Sequence, residues 1–125
     1  MNIKKKDAVD FGKHAEDLVA HEYVKKGYTI LERRYRLGKS EIDLIAQRDN
    51  EVIFIEVKGR SGKDEDALSA VTPDKRKRMV KVADYFLKRL PGVCDYRFDI
   101  ATVIGNSEKY VMEIYEDAFV AADLF

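Results

Sequence analysis

Asp43 and, thirteen residues further on, Glu56-Val57-Lys58 are the part of this chain best suited to chemistry. Two carboxylates and an ammonium that share one pocket can hold a divalent ion and the water it activates, the equipment of metal-assisted hydrolysis. Glu41, two residues before Asp43, adds a further carboxylate. Whether these groups meet depends on the two segments that carry them.

Residues 40–47 and 51–60 are rich in Ile, Val and Leu and read as two strands. Asp49-Asn50 between them tolerates the backbone of a tight turn. An even-numbered loop there pairs Arg48 with Glu51 and, counting back, Asp43 with Glu56 and Glu41 with Lys58. Cβ atoms directly opposed across an antiparallel pair are roughly 4.5–5.5 Å apart, so the charges converge. Strict alternation puts Glu41, Asp43, Ile45, Val52, Phe54, Glu56 and Lys58 on one face. Ile42, Leu44, Ala46, Ile53, Ile55 and Val57 fall on the other. Both faces are apolar near the turn, as in strands covered on both sides, and the charges gather at the far end. Burying carboxylates there costs several kcal/mol without a compensating cation or hydrogen bonds. This pattern argues against a merely solvated hairpin face.

The chain has 125 residues, 46% of them hydrophobic and 37% charged, which suits one domain over residues 1–125. With 23 basic and 23 acidic residues it is electrically balanced, which argues against an indiscriminate coat on nucleic acid but permits local patches. The lone Cys94 has no disulfide partner or zinc spacing, and His14 and His21 are too isolated to suggest a metal site. No apolar run reaches membrane-spanning length and the basic start leads into no signal core, so a cytoplasmic location is expected.

The remaining elements follow from periodicity and punctuation. Ala8, Phe11, Ala15, Leu18, Val19 and Tyr23 form one helical arc within residues 8–26, closed by Gly27. Glu16 lies at the edge of that arc and gains a functional reading only if the helix packs beside the charged end of the hairpin. Tyr28–Arg36 is a strand, with a turn at Gly38-Lys39-Ser40. A loop around Asp64-Glu65-Asp66 leads to Thr72-Pro73, which open a second helix as N-cap and first residue. That helix ends at Pro91-Gly92 and crowds Lys75, Arg76, Lys77 and Arg78 into its first turns, where cations oppose the helix dipole and read equally as a solvated basic face or as a site for phosphate. Residues 96–104 and 110–115 are two further strands, and the apolar tail from Asp117 is expected to fold back. Asp99 reads as an edge-strand charge, with support of the site as the alternative. The order predicts an α/β fold, a small mixed five-stranded sheet flanked by helices.

Taken together, Gly12, Glu16, Gly27-Tyr28, Glu41-Ile42-Asp43-Leu44-Ile45, Phe54, Glu56-Val57-Lys58, Arg60, Lys75, Arg78, Arg97-Phe98-Asp99 and Ala118-Phe119 resemble the YraN-like family of small bacterial proteins over roughly residues 11–119. The chain departs from that pattern in three places. Ser40 stands where Gly is usual, Arg34 where Asn is common, and Asp117 where Asn often precedes Ala-Phe.

The resemblance implies a restriction-endonuclease-like fold of the PD-(D/E)xK nucleases, similar to archaeal Holliday junction resolvases. It implies a Mg2+-dependent endonuclease, with Mn2+ as a substitute, acting on branched or structured DNA. Asp43, Glu56 and the Val57 carbonyl would then hold the metal, with Glu41 a weaker ligand. Asp43, Glu56, Lys58 and Glu16 form the expected catalytic set, Lys58 touching the attacking water and Glu16 orienting water or completing a second metal's shell. Arg60, Lys75 and Arg78 would grip flanking phosphates, which position DNA without reading its sequence. A homodimer is expected by analogy with the resolvases. The alternative is a non-catalytic nucleic-acid-binding or assembly module on the same scaffold.

Overall fold

A computed structural model describes residues 3–61, 69–92 and 95–125, with side chains described from residue 11 onward. Cys94 and the acidic run 64–66 lie outside the described residues. Helix α1 spans Ile3–Lys25 and is followed by strands β1 (Thr29–Leu37), β2 (Ser40–Arg48) and β3 (Glu51–Arg60). Helix α2 (Pro73–Leu87) leads to β4 (Asp95–Gly105) and β5 (Tyr110–Phe119), and a short 3-10 turn covers Ala121–Asp123.

Gly27, at φ +93°, ends α1. The Tyr28 and Gly27 N–H groups donate back to the carbonyls of Tyr23 and Val24, and the rings of Tyr23 and Tyr28 meet edge to face at 5.3 Å. This is the left-handed helix ending with its accompanying apolar contact. At α2, Thr72 accepts from the Lys75 N–H and Pro73 follows, as the sequence predicts. The helix stops at Leu87, short of the expected Pro91-Gly92, because the chain turns on bonds from Arg89 to Phe86 and from Leu90 to Leu87.

The strands lie in the order β1-β2-β3-β4-β5. All neighbours are antiparallel except β3 and β4, which run parallel because α2 carries the chain back between them. The sheet is the expected small mixed one of five strands, with a helix on each face. Phe11, Ala15, Val19 and Tyr23 of α1 pack on Leu44, Ile53, Ile55 and Val103. Met79, Val82 and Ala83 of α2 pack on Ile45, Phe54, Phe98 and Ile100. β3, central and covered on both sides, is buried from Val52 to Val57.

In β2 the strict alternation expected of the hairpin fails at one point. Ile42 joins the α2-side cluster, on the face opposite Leu44 and Ala46. Arg33 pairs with Leu44 and Tyr35 with Ile42, so the break falls where Arg34 lies opposite Asp43. Arg34 has φ +52°, a left-handed kink that resets which side of the sheet each later residue faces.

Asp99 is neither an edge charge nor part of the candidate site. It is wholly buried on interior strand β4 and accepts from Tyr23 Oη at 2.6 Å, from the Arg97 guanidinium at 2.9 and 3.1 Å, and from the Asp117 N–H at 3.0 Å. Every acceptor direction is used. The network ties α1 to β4 and holds the bulge at Asp117, itself at φ +52°. The strand β5 continues past its expected end to Phe119, whose ring stacks on Phe98 at 4.7 Å. Of the apolar tail, Leu124 packs on the α2-side cluster, whereas Phe125 is exposed.

Candidate active site

The β2–β3 ladder has the register that the turn demands, from Arg48 with Glu51 to Leu44 with Ile55. There the pairing stops, one step before Asp43 and Glu56. β2 stays with β1 as far as the Leu37–Ser40 hairpin end, while β3 stays with β4 as far as Arg60. The two central strands thus part, and the gap between them is the candidate site.

Asp43 fills the mouth of that gap. Its Oδ2 accepts the Val57 N–H at 2.8 Å, replacing the lost ladder bond. The N–H and C=O of a strand residue share a side, so the Val57 carbonyl belongs to the same edge of β3. Glu56 is 1% exposed and lies beside Asp43, whose carboxyl feels its charge and a hydrogen bond to it. Its Oε2 is 3.5 Å from Lys58 Nζ and in contact with Lys75 Nζ. That oxygen is nonetheless without a hydrogen bond of ordinary geometry.

The electrostatics follow from this crowding. Burial, then the charge of Glu56 and the bond to it, push the Asp43 carboxyl up to about 7, against the opposing pull of the Val57 N–H and Lys75. Burial also lowers the Lys58 pKa, and the neighbouring Lys75 ammonium adds to that. Lys75 moves the other way: burial disfavours its charge, but its contact with Glu56 outweighs burial and the pKa is raised.

Glu16 reaches the site because Gly59 lets α1 approach β3. A Cβ at Gly59 would lie 3.1 Å from the Ala15 Cβ and 3.5 Å from the Phe11 ring. The condition for a functional reading of Glu16 is therefore met: α1 does lie beside the charged end of the hairpin. Arg34 reaches Glu16 with two long contacts, Nε to Oε1 at 3.4 Å and Nη2 to Oε2 at 3.3 Å. Burial raises the Glu16 pKa, Arg34 works against that, and the charges of Asp43 and Glu41 reinforce it.

Glu41 differs from expectation. The parting of β2 from β3 removes it from Lys58, and it pairs instead with Arg36 across the β1–β2 ladder at 3.7 Å. Lys75, expected on a flanking phosphate, lies against Glu56. Arg60 ends β3 two residues beyond Lys58, with Nη1 donating to the Gly59 carbonyl at 2.9 Å. Arg78 is exposed on α2, one turn beyond Lys75. Sequence reasoning missed two contacts, Lys75 on Glu56 and Arg34 on Glu16. The available signals were a cation in the first turn of α2, where an anion is favoured, and an arginine in place of the asparagine of the resembling pattern. Asn tolerates left-handed backbone better than Arg or Asp, and Arg34 and Asp117 both stand at φ +52°.

The donor set suits Mg2+. Among the described residues no three His, Cys, Asp or Glu side chains surround one point. Mg2+ needs fewer, being held by one or two carboxylates together with waters and substrate phosphate. Asp43, Glu56, whose buried oxygen is met by lysine ammonium groups, and a main-chain oxygen on the Val57 edge are donors of that kind.

Comparison with known proteins agrees with the residue pattern. The family described as "Uncharacterised protein family UPF0102" matches residues 15–103. A "UPF0102 protein" of Chloroherpeton thalassium is 43% identical over 122 residues, 94% of each chain. Another, of Phocaeicola vulgatus, is 38% identical over 114 residues, 88% of this chain and 92% of its own. The solved structure of Pyrococcus furiosus SfsA in complex with Ca2+ aligns at TM-score 0.32 and 13% identity, over 90% of this chain and 62% of that one. The chain thus spans less than two thirds of SfsA, and a likeness of this size carries no argument.

Proposed function

Since the chain belongs to the UPF0102 family, whose description assigns no activity, we propose its function from the site: a Mg2+-dependent endonuclease that hydrolyses phosphodiester bonds of DNA. The observation that carries the reading is the gap between β2 and β3, where Asp43 and Lys58 lie beside Glu56, a buried carboxylate whose Oε2 is met, among the described residues, only by the flexible ammonium groups of Lys58 and Lys75. Nothing in packing requires two carboxylates there, and burying them is costly.

Asp43, Glu56 and the Val57 carbonyl would hold the ion, which when bound would activate a water and offset charge on the phosphoryl oxygens. Lys58, on β3 with its ammonium 3.5 Å from Glu56, would direct that charge at the attacking water and the scissile phosphate. Glu16 stands on the α1 side to orient that water, and Glu41 remains a weaker candidate for this task. Arg60 and Arg78 grip flanking phosphates, contacts that position DNA without selecting sequence. Among the described residues no element presents a row of base-reading side chains, which favours structured or branched DNA over a defined sequence. Mn2+ is expected to replace Mg2+.

The test is a panel of labelled flap, fork, four-way-junction and single-stranded DNAs incubated with Mg2+ or Mn2+. Cleavage that disappears in folded Glu56→Ala and Lys58→Ala variants supports the reading. Intact DNA throughout refutes it. A non-catalytic nucleic-acid-binding module is the second reading, favoured by the two lysines that already neutralise Glu56. It predicts salt-sensitive DNA affinity with no metal-dependent turnover.

A further inference from the structure

Lys75 occupies an improbable position for a cation. It is the third residue of α2, where the helix N-terminus already carries partial positive charge and Lys or Arg is disfavoured. Its backbone is fixed there, since the Lys75 N–H is the donor that Thr72 caps at 3.3 Å. From that anchor its side chain bends onto Glu56 Oε2, the buried oxygen that the proposed metal would use. Lys58 lies on the same oxygen at 3.5 Å but belongs to β3, the strand of Glu56 itself.

Glu56 already faces two ammonium groups as the cluster stands, and Asp43, once ionised, brings it to balance. A divalent ion entering between Asp43 and Glu56 would leave two excess positive charges in a partly buried pocket. Such an excess is relieved if one ammonium leaves the carboxylate for an anion. Of the two lysines, Lys75 is the one free to do so. Its side chain is 29% exposed, against 17% for Lys58, and its flexible stem starts from a different element. The anion within its reach is the phosphate that the ion itself would bind.

We propose that Lys75 stands in for the divalent ion on Glu56 in the metal-free protein, and passes to the substrate phosphate once the ion binds. This rests on the reading of the site as a metal-dependent nuclease and adds to it a second ammonium with two alternating partners. The tethered charge stabilises the empty pocket and competes with the metal. Removing it therefore has opposite effects on metal affinity and on affinity for DNA.

The experiment is a Mn2+ titration of wild type, Lys75→Gln, Lys75→Arg and, as a control for loss of one charge on the same helix, Lys81→Gln. Lys81 is exposed two turns along α2. Lys75→Gln is expected to bind Mn2+ at least tenfold more tightly than wild type, Lys75→Arg about as wild type, and Lys81→Gln within about twofold of it. In saturating Mn2+, Lys75→Gln is expected to hold a labelled four-way junction more weakly, and the dependence of log affinity on log salt to fall by about one phosphate contact. A lysine with a merely structural role would weaken both affinities together, and that result overturns the proposal. So does a Lys75→Gln variant whose Mn2+ affinity is unchanged while the wild type binds the ion. A wild type that binds no Mn2+ instead overturns the metal-site reading itself, and the proposal with it. Should Lys75→Gln be unfolded in EDTA, excess Mn2+ is expected to restore its circular dichroism, and failure to do so also counts against the exchange.

Discussion

Asp43→Asn tests the electrostatics of the site without needing a substrate. In the folded protein the Asp43 carboxyl is pushed up to about 7, from an ordinary value of 3.8, by burial and the adjacent Glu56. At 1.36 kcal/mol per pH unit this separates its neutral and charged forms by about 4 kcal/mol at most. The sign follows from linkage. A carboxyl whose folded pKa lies above its unfolded pKa binds more protons when folded, so wild-type stability falls as pH rises from about 4 to about 7 and is then level. Asparagine copies the neutral form: its carbonyl can keep the Val57 N–H bond and its amide can donate to Glu56. In EDTA, Asp43→Asn is thus expected to equal wild type near pH 4 and to exceed it by about 2–4 kcal/mol at pH 8, read by urea unfolding at pH 4.5, 6 and 8. Saturating Mn2+ should narrow the gap at pH 8, because a ligand at 100 times its Kd stabilises a folded protein by about 2.7 kcal/mol and the variant has lost one charged donor. An asparagine variant less stable than wild type at pH 8, or a difference that ignores pH, would refute this account of why the Asp43 pKa is raised.

Four further outcomes are expected. Asp99→Ala, which strands the Arg97 guanidinium, Tyr23 Oη and the Asp117 N–H, should cost about 3–5 kcal/mol by urea unfolding, whereas Tyr23→Phe should cost only about 1–2 kcal/mol because Asp99 Oδ2 keeps Arg97. Gly59→Ala should lose about 1–3 kcal/mol through contact with Ala15, and a double-mutant cycle with Ala15→Gly should return part of it; additive losses would mean that α1 does not press on β3 there. Arg34→Asn should leave stability within about 0.5 kcal/mol of wild type, since relief of about 1 kcal/mol at φ +52° offsets the loss of an exposed pair with Glu16; a larger fall in thermal midpoint would show that the pair matters more than the backbone. Mn2+ affinity should weaken as pH drops below about 7, with release of a proton on binding near pH 6, because the metal needs Asp43 ionised; calorimetry in buffers of differing ionisation enthalpy measures that proton.

The amino-acid sequence alone determined what depends on near neighbours. Gly27 closing α1, Thr72-Pro73 opening α2 and Asp49-Asn50 joining β2 to β3 are instructions written in two or three residues, and each is obeyed. The two-residue loop even carried the register from Arg48 to Leu44, because an antiparallel ladder only repeats the step its turn sets. What the turn could not convey is where the ladder ends. β2 leaves β3 because β1 and β4 hold them in different directions, so Asp43 meets the Val57 N–H and Glu41 goes to Arg36. Likewise Lys75 lies nineteen residues from Glu56, Arg34 eighteen from Glu16, and Tyr23 seventy-six from Asp99, separations at which no local spacing implies contact. Those meetings were decided by two helices pressing on opposite faces of one sheet, since side chains far apart along the chain converge only once burial of apolar surface has fixed the elements that carry them.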